Sequence, residues 1–159
     1  MDFAIVTVTE LPKDQLTPLL TEGEQNGWHF VGRLAAEWES EINRFDRVGE
    51  VLFVARAEGR IIGVCGLNID PYLADASVAR VRHLYVLQAY RCLGIGRQLV
   101  QSVVDAASGR FNTLRLRTAN PVAARLYEKL GFRPVKGNSD CTHIIELNIV
   151  KQTKSLTPR

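Results

Sequence analysis

The sequence predicts a single α/β domain of the α+β kind, in which a mixed sheet is flanked by helices. Its length of 159 residues, with 46% hydrophobic and 23% charged residues, is typical of one globular domain. Short β-branched runs alternate with stretches of helical periodicity, and no repeat or low-complexity tract interrupts them. We place the domain at residues 1–150 and a basic polar tail at residues 151–159.

The composition also limits the classes of function. Three scattered cysteines form no disulfide framework and no metal motif, and the N-terminus lacks the features of an export signal. We therefore expect a cytoplasmic protein without a metal site. The longest apolar run, residues 61–67, is far short of the ~20 residues that span a bilayer, so no membrane partner is expected. No basic run is interleaved with aromatic residues, which argues against a nucleic-acid partner.

Charge is distributed unevenly along the chain. Residues 1–80 contain 7 Lys or Arg and 13 Asp or Glu, a net charge of −6, whereas residues 81–159 contain 13 and 4, a net charge of +9. An anionic ligand on the second half and a cationic one on the first would explain this split. Chance together with the basic tail would explain it too, and both explanations stay open.

The first half of the chain contains strand and helix signals in a clear order. Leu34, Trp38 and Ile42 recur every four residues, which predicts one apolar helix face. Two buried apolar runs separated by a short Gly-containing turn predict a hairpin. We predict, in order, a strand, two helices and three strands at residues 3–9, 11–27, 28–45, 51–57, 61–69 and 78–86.

The second half has sharper boundaries. Ile95, Leu99 and Val103 lie on one apolar helix face, and Asn120 followed by proline is a strong helix start. Gly131 stands where a left-handed residue ends that helix. We predict a helix, a strand, a helix and two closing strands at residues 95–107, 113–118, 121–130, 132–135 and 142–150.

The segment between the strand at 78–86 and the next helix carries the chemistry. It reads RCLGIGR at residues 91–97, with two glycines at the start of a helix. Free amides and the helix dipole at such a start favour an anion, so the segment is either a phosphate cradle or a tight structural turn. A dinucleotide fingerprint is excluded because Leu99 stands where GxGxxG requires glycine, and no P-loop motif occurs.

This Arg-x-x-Gly-x-Gly spacing after a strand, with Asn120 and the segment YEKLGF at residues 127–132 downstream, resembles the GNAT superfamily of acyl-CoA-dependent N-acetyltransferases. The resemblance implies a mostly antiparallel central sheet with one splayed parallel strand pair. It also implies acetyl-CoA as co-substrate and direct transfer of the acetyl group to a primary amine of a small molecule or protein. A homodimer is a further expectation that the sequence leaves open.

The resemblance also implies roles for single residues. Backbone groups of residues 84–86 would hydrogen-bond the pantetheine arm, and the Val86 N–H would polarise the thioester carbonyl. Tyr127 would be the general acid that protonates the leaving thiolate. The cofactor contacts implied are Leu84, Tyr85, Val86, Arg91, Cys92, Leu93, Gly94, Ile95, Gly96, Arg97, Asn120 and Tyr127.

The general base is not assigned by this resemblance. Some family members carry Glu or His at positions that correspond here to Arg80 and Arg82. Strand alternation places His83 on the opposite face. The two arginines would bind a carboxylate of the acceptor if they face the cleft, or would pair with Asp70 or Asp75 in the preceding loop.

Two functional classes follow from these observations. The leading one is an N-acetyltransferase, in which Glu37, Glu39 and Glu41 either attract the acceptor's ammonium group or form a solvated helix face. The alternative is a non-catalytic acyl-CoA-binding module that serves as a sensor or interaction domain. The presence of Tyr127 favours the enzyme, and the missing strand base keeps the alternative open.

Overall fold

The computed structural model describes residues 2–147. The predicted tail and the last residues of the final predicted strand lie outside this range. The described part has seven strands: β1 (Ala4–Thr7), β2 (Val51–Ala57), β3 (Arg60–Ile69), β4 (Val78–Val86), β5 (Thr113–Leu116), β6 (Arg133–Pro134) and β7 (His143–Glu146). It has four α-helices: α1 (Lys13–Gln25), α2 (Phe30–Glu39), α3 (Ile95–Ala107) and α4 (Pro121–Lys129).

All seven strands form one mixed sheet, as predicted. The spatial order is β1-β2-β3-β4-β5-β7-β6, and the only parallel neighbours in the described chain are β4 and β5. The predicted element order is therefore confirmed, including the parallel pair. A short 3₁₀ helix at Gln88–Tyr90 was not predicted. None of the helices in the described range is both long and apolar enough to cross a bilayer.

The two faces of the sheet are covered by different helices. One buried cluster joins α1 and α2 to inward side chains such as Leu52 and Val54. The other cluster joins α3 and α4 to different residues of the same strand β2, such as Ala55 and Ala57. Because successive side chains of a strand point to opposite faces, α1 and α2 cover one face of the sheet, and α3 and α4 cover the other. Hence α1–α2 and α3–α4 can contact different parts of a ligand held at the sheet.

The second helix is shorter than predicted. It ends at Glu39 instead of continuing to residue 45, and Ile42 is 70% exposed although Leu34 and Trp38 are buried. Glu41 adopts a left-handed backbone, and the Arg44 side chain donates to the Trp38 carbonyl. These contacts satisfy carbonyl groups at the helix end, so the four-residue spacing overestimated the helix by six residues at its C-terminal end.

Strand β4 contains a bulge that alternation alone did not predict. Val64 pairs with Tyr85 and Gly66 with Arg82, so β4 has one extra residue, and His83 has a φ of +63°. Two consecutive residues can then face the same side. The prediction that His83 lies opposite the arginine face was wrong: its ring contacts Phe45 in the α1–α2 cluster, the same side on which Arg82 meets α2.

Strand β5 is shorter and more buried than its sequence predicted. It ends at Leu116 rather than at residue 118, and the charged side chain of Arg115 is buried. Its guanidinium lies 3.6 Å from the buried carboxylate of Asp70, and it also donates to Asp140. Ionic pairing, which alternation cannot reveal, compensates the burial of this charge.

Candidate functional site

Helix α3 begins at a nest of free backbone amides, which residues 92–97 form. Cys92 and Gly94 have φ values of +66° and +84°, which turns successive N–H groups toward one side. Within residues 2–147, none of the amides from residue 92 to residue 97 donates to an acceptor, whereas Gln98 closes the first helical bond to Gly94. This arrangement has the unpaired donors and the positive helix end that an anion requires.

The nest is open to solvent but firmly anchored. Ile95 is buried in the α3–α4 cluster, whereas Cys92, Leu93 and Arg97 are exposed. A Cβ added at Gly94 would meet nothing within 4 Å, so the space in front of the nest is unfilled. The residues therefore fit a pyrophosphate group, which the resemblance assigned to this segment.

Next to the nest, strands β4 and β5 diverge. They pair only from Val78 to Arg80 on β4, although β4 continues to Val86. The later residues of β4 therefore have no strand partner on the β5 side within the described chain. Such an unpaired edge can bind an extended ligand by strand-like hydrogen bonds. The predicted pantetheine contacts at Leu84, Tyr85 and Val86 lie along this edge.

Asn120 and Tyr127 come from α4, at the same side of the sheet as α3. The Asn120 Oδ1 accepts from the amides of Val122 at 2.9 Å and Ala123 at 3.5 Å, which confirms the predicted N-cap. Its Nδ2 has no partner in the described chain. Tyr127 is buried in the α3–α4 cluster, with its ring 5.5 Å from that of Phe132.

The environment of Tyr127 affects its acidity. Burial, with Cys65 nearby, raises the pKa of Tyr127 well above its ordinary value. The phenol therefore keeps its proton at neutral pH. Burial thus moves the pKa of Tyr127 away from the ~8.5 of a free thiol. The protonated phenol can donate a hydrogen bond at neutral pH.

Comparison with known proteins agrees with this geometry. The family model described as the acetyltransferase (GNAT) domain matches residues 48–134, which include β2 to α4 and the whole nest. The chain belongs to the GNAT acetyltransferase family. A crystal structure from Exiguobacterium sp. 255-15, designated an acetyltransferase, superposes with a TM-score of 0.84 at 28% identity over 99% of this chain and 100% of that one.

Curated relatives match a shorter part of the chain. The N-alpha-acetyltransferase of Sulfurisphaera tokodaii is 33% identical over 95 residues, which are 53% of this chain and 57% of the relative. RimI of Mycobacterium tuberculosis, also named an N-alpha-acetyltransferase, is 33% identical over 85 residues, 51% of each chain. The chain thus spans about half the length of these curated relatives. A GNAT structure from Escherichia coli in complex with CoA shares the fold, with a TM-score of 0.66 at 16% identity, over 92% of this chain and 82% of that one.

In this GNAT domain, Glu22 of α1 joins the two sides of the cleft. Its Oε2 accepts from the Tyr85 hydroxyl at 2.6 Å and from the Gln88 amide at 2.9 Å, and lies 3.6 Å from Arg91. Burial and this hydrogen bond raise the pKa of Tyr85 to about 12. Sequence reasoning missed Glu22, because nothing in a polar helix face indicates which carboxylate reaches a distant loop.

Arg91 is held differently from the other predicted cofactor contacts. Its Nε donates to the Val86 carbonyl at 2.9 Å, and its guanidinium lies 5.4 Å from the centroid of the Tyr85 ring. The side chain thus covers the end of the β4 edge. The Nε bond to the Val86 carbonyl leaves the Nη donors of Arg91 free of hydrogen bonds in the described chain.

His83 is the second residue that sequence reasoning did not place. Both ring nitrogens are buried without a hydrogen-bond partner, which no other side chain of residues 2–147 shows. Burial, followed by the charges of Arg82 and Arg33, lowers the pKa of His83 to about 3, and the Phe30 carbonyl faces the ring without meeting hydrogen-bond geometry. The imidazole is therefore neutral. Strand alternation could not place His83, because alternation fails across a bulge.

The two β4 arginines, Arg80 and Arg82, differ in whether they have a partner. Arg80 is buried and pairs with Asp70 at 3.2 Å, so the loop-pairing alternative holds for Arg80. Asp75 instead accepts from Ser77. Arg82 has no ion pair or hydrogen bond within residues 2–147 and faces the pocket below α2. Of these two arginines, therefore, Arg82 is the one that remains available to a ligand.

Proposed function

We propose that this GNAT protein transfers the acetyl group of acetyl-CoA to a primary amine by direct attack within a ternary complex. The observation that carries the proposal is the nest of six unpaired amides beside the unpaired edge of β4. One element fits a pyrophosphate and the other fits an amide-containing arm. Together they match the two ends of a CoA molecule.

Acetyl-CoA, when bound, supplies an activated acetyl thioester. The amides of residues 92–97 would hold its diphosphate, and Asn120 would donate its free Nδ2 to the arm. The Val86 N–H would polarise the carbonyl undergoing attack, as an oxyanion-hole donor does. These contacts fix the thioester against β4 and cost little reorganisation, because the amides are already free.

Tyr127 would act as the general acid that protonates the leaving sulfur. Its phenol keeps its proton in the free protein because burial raises its pKa. As negative charge develops on sulfur, the O–H would donate to it and then transfer the proton. An attacking amine has to be neutral, so its proton must leave through water or a nearby acceptor.

The acceptor amine would enter from the α1–α2 side. His83, Arg82 and Glu37 lie there, on the face opposite to α3 and α4. The two curated relatives named N-alpha-acetyltransferases support an α-amine as the acceptor group. The protein would therefore bind its two substrates through different faces of the same strand.

Release of free CoA from acetyl-CoA in the presence of amines, measured with a thiol reagent, tests the proposal. We expect amine-dependent release, with the acetylated amine detected by mass spectrometry. Tight binding of acetyl-CoA with no amine-dependent release across α-amines, side-chain amines and polyamines would favour the non-catalytic acyl-CoA-binding module. Failure to bind acetyl-CoA would overturn both.

A further inference from the structure

The pocket under α2 has an unusual charge arrangement. It has a volume of about 200 Å³, below the ~300–1,000 Å³ of pockets for drug-sized ligands. Glu37 and Arg82 line it from opposite elements, and the buried amides of Asn43 and Asn68 pair reciprocally, at 2.8 and 3.0 Å, beside them. Such a space suits a small molecule with few polar groups.

Arg82, which lines this pocket, and Arg33, which lies outside its lining on α2, both lack acidic partners in the described chain. Within residues 2–147, neither Arg33 of α2 nor Arg82 of β4 lies within 4.0 Å of a carboxylate. They are close enough that each adds positive charge to the surroundings of His83. By contrast, Arg80 and Arg115 on the same sheet share Asp70. Arg82 is half-buried and Arg33 is exposed. An unpaired, half-buried guanidinium such as that of Arg82 is typical of a carboxylate or phosphate site.

His83 does not line the pocket, but it follows Arg82 on β4 and adds an independent observation. A buried imidazole with two unsatisfied nitrogens costs free energy unless something completes its hydrogen bonds. The β4 bulge puts it beside Arg82 on the same face. Because the imidazole is neutral, it adds no charge and can accept a hydrogen bond from an amine N–H. A cationic and a neutral group therefore stand side by side.

We propose that the acceptor is a small amine that also carries a carboxylate, of the amino-acid class, with the carboxylate bound by Arg82 and Arg33 and the amine directed toward His83. This rests on the proposed acetyl transfer and names its substrate class. Glu37 is the one member of the Glu37–Glu41 set that lines the pocket, and it would attract the ammonium form. Glu39 is engaged by Lys13 at the surface.

The test compares acceptors that differ only in the carboxylate. We would assay L-leucine, L-leucinamide and 3-methylbutylamine, with the corresponding alanine and phenylalanine series. A charged hydrogen-bonded contact contributes ~1.5–3 kcal/mol, which corresponds to ~10–100-fold in kcat/KM. We expect the carboxylate member of at least one series to be preferred by that factor over its carboxamide.

Variants locate the preference. Arg82→Gln and Arg33→Gln should each reduce it toward unity, mainly through KM, and Arg82→Lys should retain part of it. Arg110→Gln is the control, because Arg110 is exposed, has no ion pair in the described chain and lies past the far end of α3. Unchanged binding of acetyl-CoA by each variant shows that it is folded.

Direct binding separates this inference from the proposed function. Saturation-transfer NMR with the CoA-bound protein would report whether leucine and 3-methylbutylamine bind, without turnover. Binding of leucine that Arg82→Gln abolishes, with no acetylated product from any amine, would support the substrate class and overturn the transferase. Equal or better turnover of amines without a carboxylate, unaffected by Arg82→Gln, would overturn the substrate class and leave the transferase intact. Absence of both binding and turnover for every carboxylate member would also overturn the proposed substrate class.

Discussion

In the proposed complex, acetyl-CoA and the acceptor are recognised by different parts of the chain. On the CoA side, the proposed donors are backbone amides of one continuous segment, residues 92–97, and one edge of β4. On the acceptor side, the proposed recognising groups are the side chains of Arg33, Arg82 and His83, which come from a helix and a bulged strand. Backbone recognition needs only a local geometry, whereas side-chain recognition needs distant elements to meet. A sequence motif can therefore predict the backbone recognition, but it cannot predict the side-chain recognition.

The largest expected effect tests the backbone side. Gly94→Glu should raise the Kd for acetyl-CoA beyond the range of isothermal titration calorimetry. The new carboxylate would enter the open space in front of the nest and repel a diphosphate. Gly94 has a φ of +84°, so some of the loss could come from backbone strain.

Gly59→Glu is the matched control for that strain. Gly59 has a φ of +74°, also with nothing within 4 Å of an added Cβ, and lies in the hairpin turn between β2 and β3. We expect it to lower thermal stability similarly and to leave the Kd nearly unchanged. Normal affinity in folded Gly94→Glu would show that the nest does not hold the phosphates.

The next effect concerns a side chain on the CoA side. Tyr127→Phe should lower kcat by ~10²–10⁴ and leave the Kd for acetyl-CoA within about twofold. The ring is packed in the core, so phenylalanine preserves its contacts with Phe132. Tyr90→Phe is the matched control, because the Tyr90 hydroxyl accepts only from Arg60. Stopped-flow and steady-state CoA release would measure both; equal rates in the two variants would assign thiolate protonation to water.

How much of the structure can be predicted from the sequence depends on whether the contacts are local or join distant residues. Helix α3 and strand β4 have the predicted bounds, because an apolar stripe and a β-branched run determine them locally. The N-cap at Asn120 follows from two adjacent residues. By contrast, the bulge at His83 and the pairing of Arg115 with Asp70 depend on how strands meet. No window of sequence contains both members of such contacts.

The acceptor side offers a pH test of its own. The pKa of His83 is lowered to about 3 by burial, against ~6.5 for a free histidine. Between these values the unfolded chain binds a proton that the folded protein excludes, so the free energy of unfolding falls as pH falls. At about 1.4 kcal/mol per pH unit, the loss from pH 7 to pH 5 is ~2 kcal/mol.

His83→Asn should remove that part of the pH dependence. Asparagine tolerates the positive φ of this position, and comparing slopes cancels any constant loss of packing. His29→Asn is the control, because His29 is exposed and contacts Glu24 at the surface. Urea unfolding at pH 7 and pH 5 measures all three proteins. A His83→Asn slope equal to that of the wild type would mean that the imidazole titrates normally.

The smallest expected effect concerns Asn120 and separates its role as a helix cap from its proposed contact with acetyl-CoA. Asn120→Asp keeps the oxygen that accepts from Val122 and adds a charge that the helix N-terminus favours, so thermal stability should be equal or higher. It removes the Nδ2 donor, which should raise the Kd for acetyl-CoA about fivefold, equivalent to ~1 kcal/mol. Asn120→Ala should lose both the cap, at ~1 kcal/mol of stability, and the affinity. Calorimetric titration alongside thermal melts distinguishes them: if Asn120→Asp binds acetyl-CoA as tightly as the wild type, Asn120 serves only the helix, and the CoA side is recognised there by backbone alone.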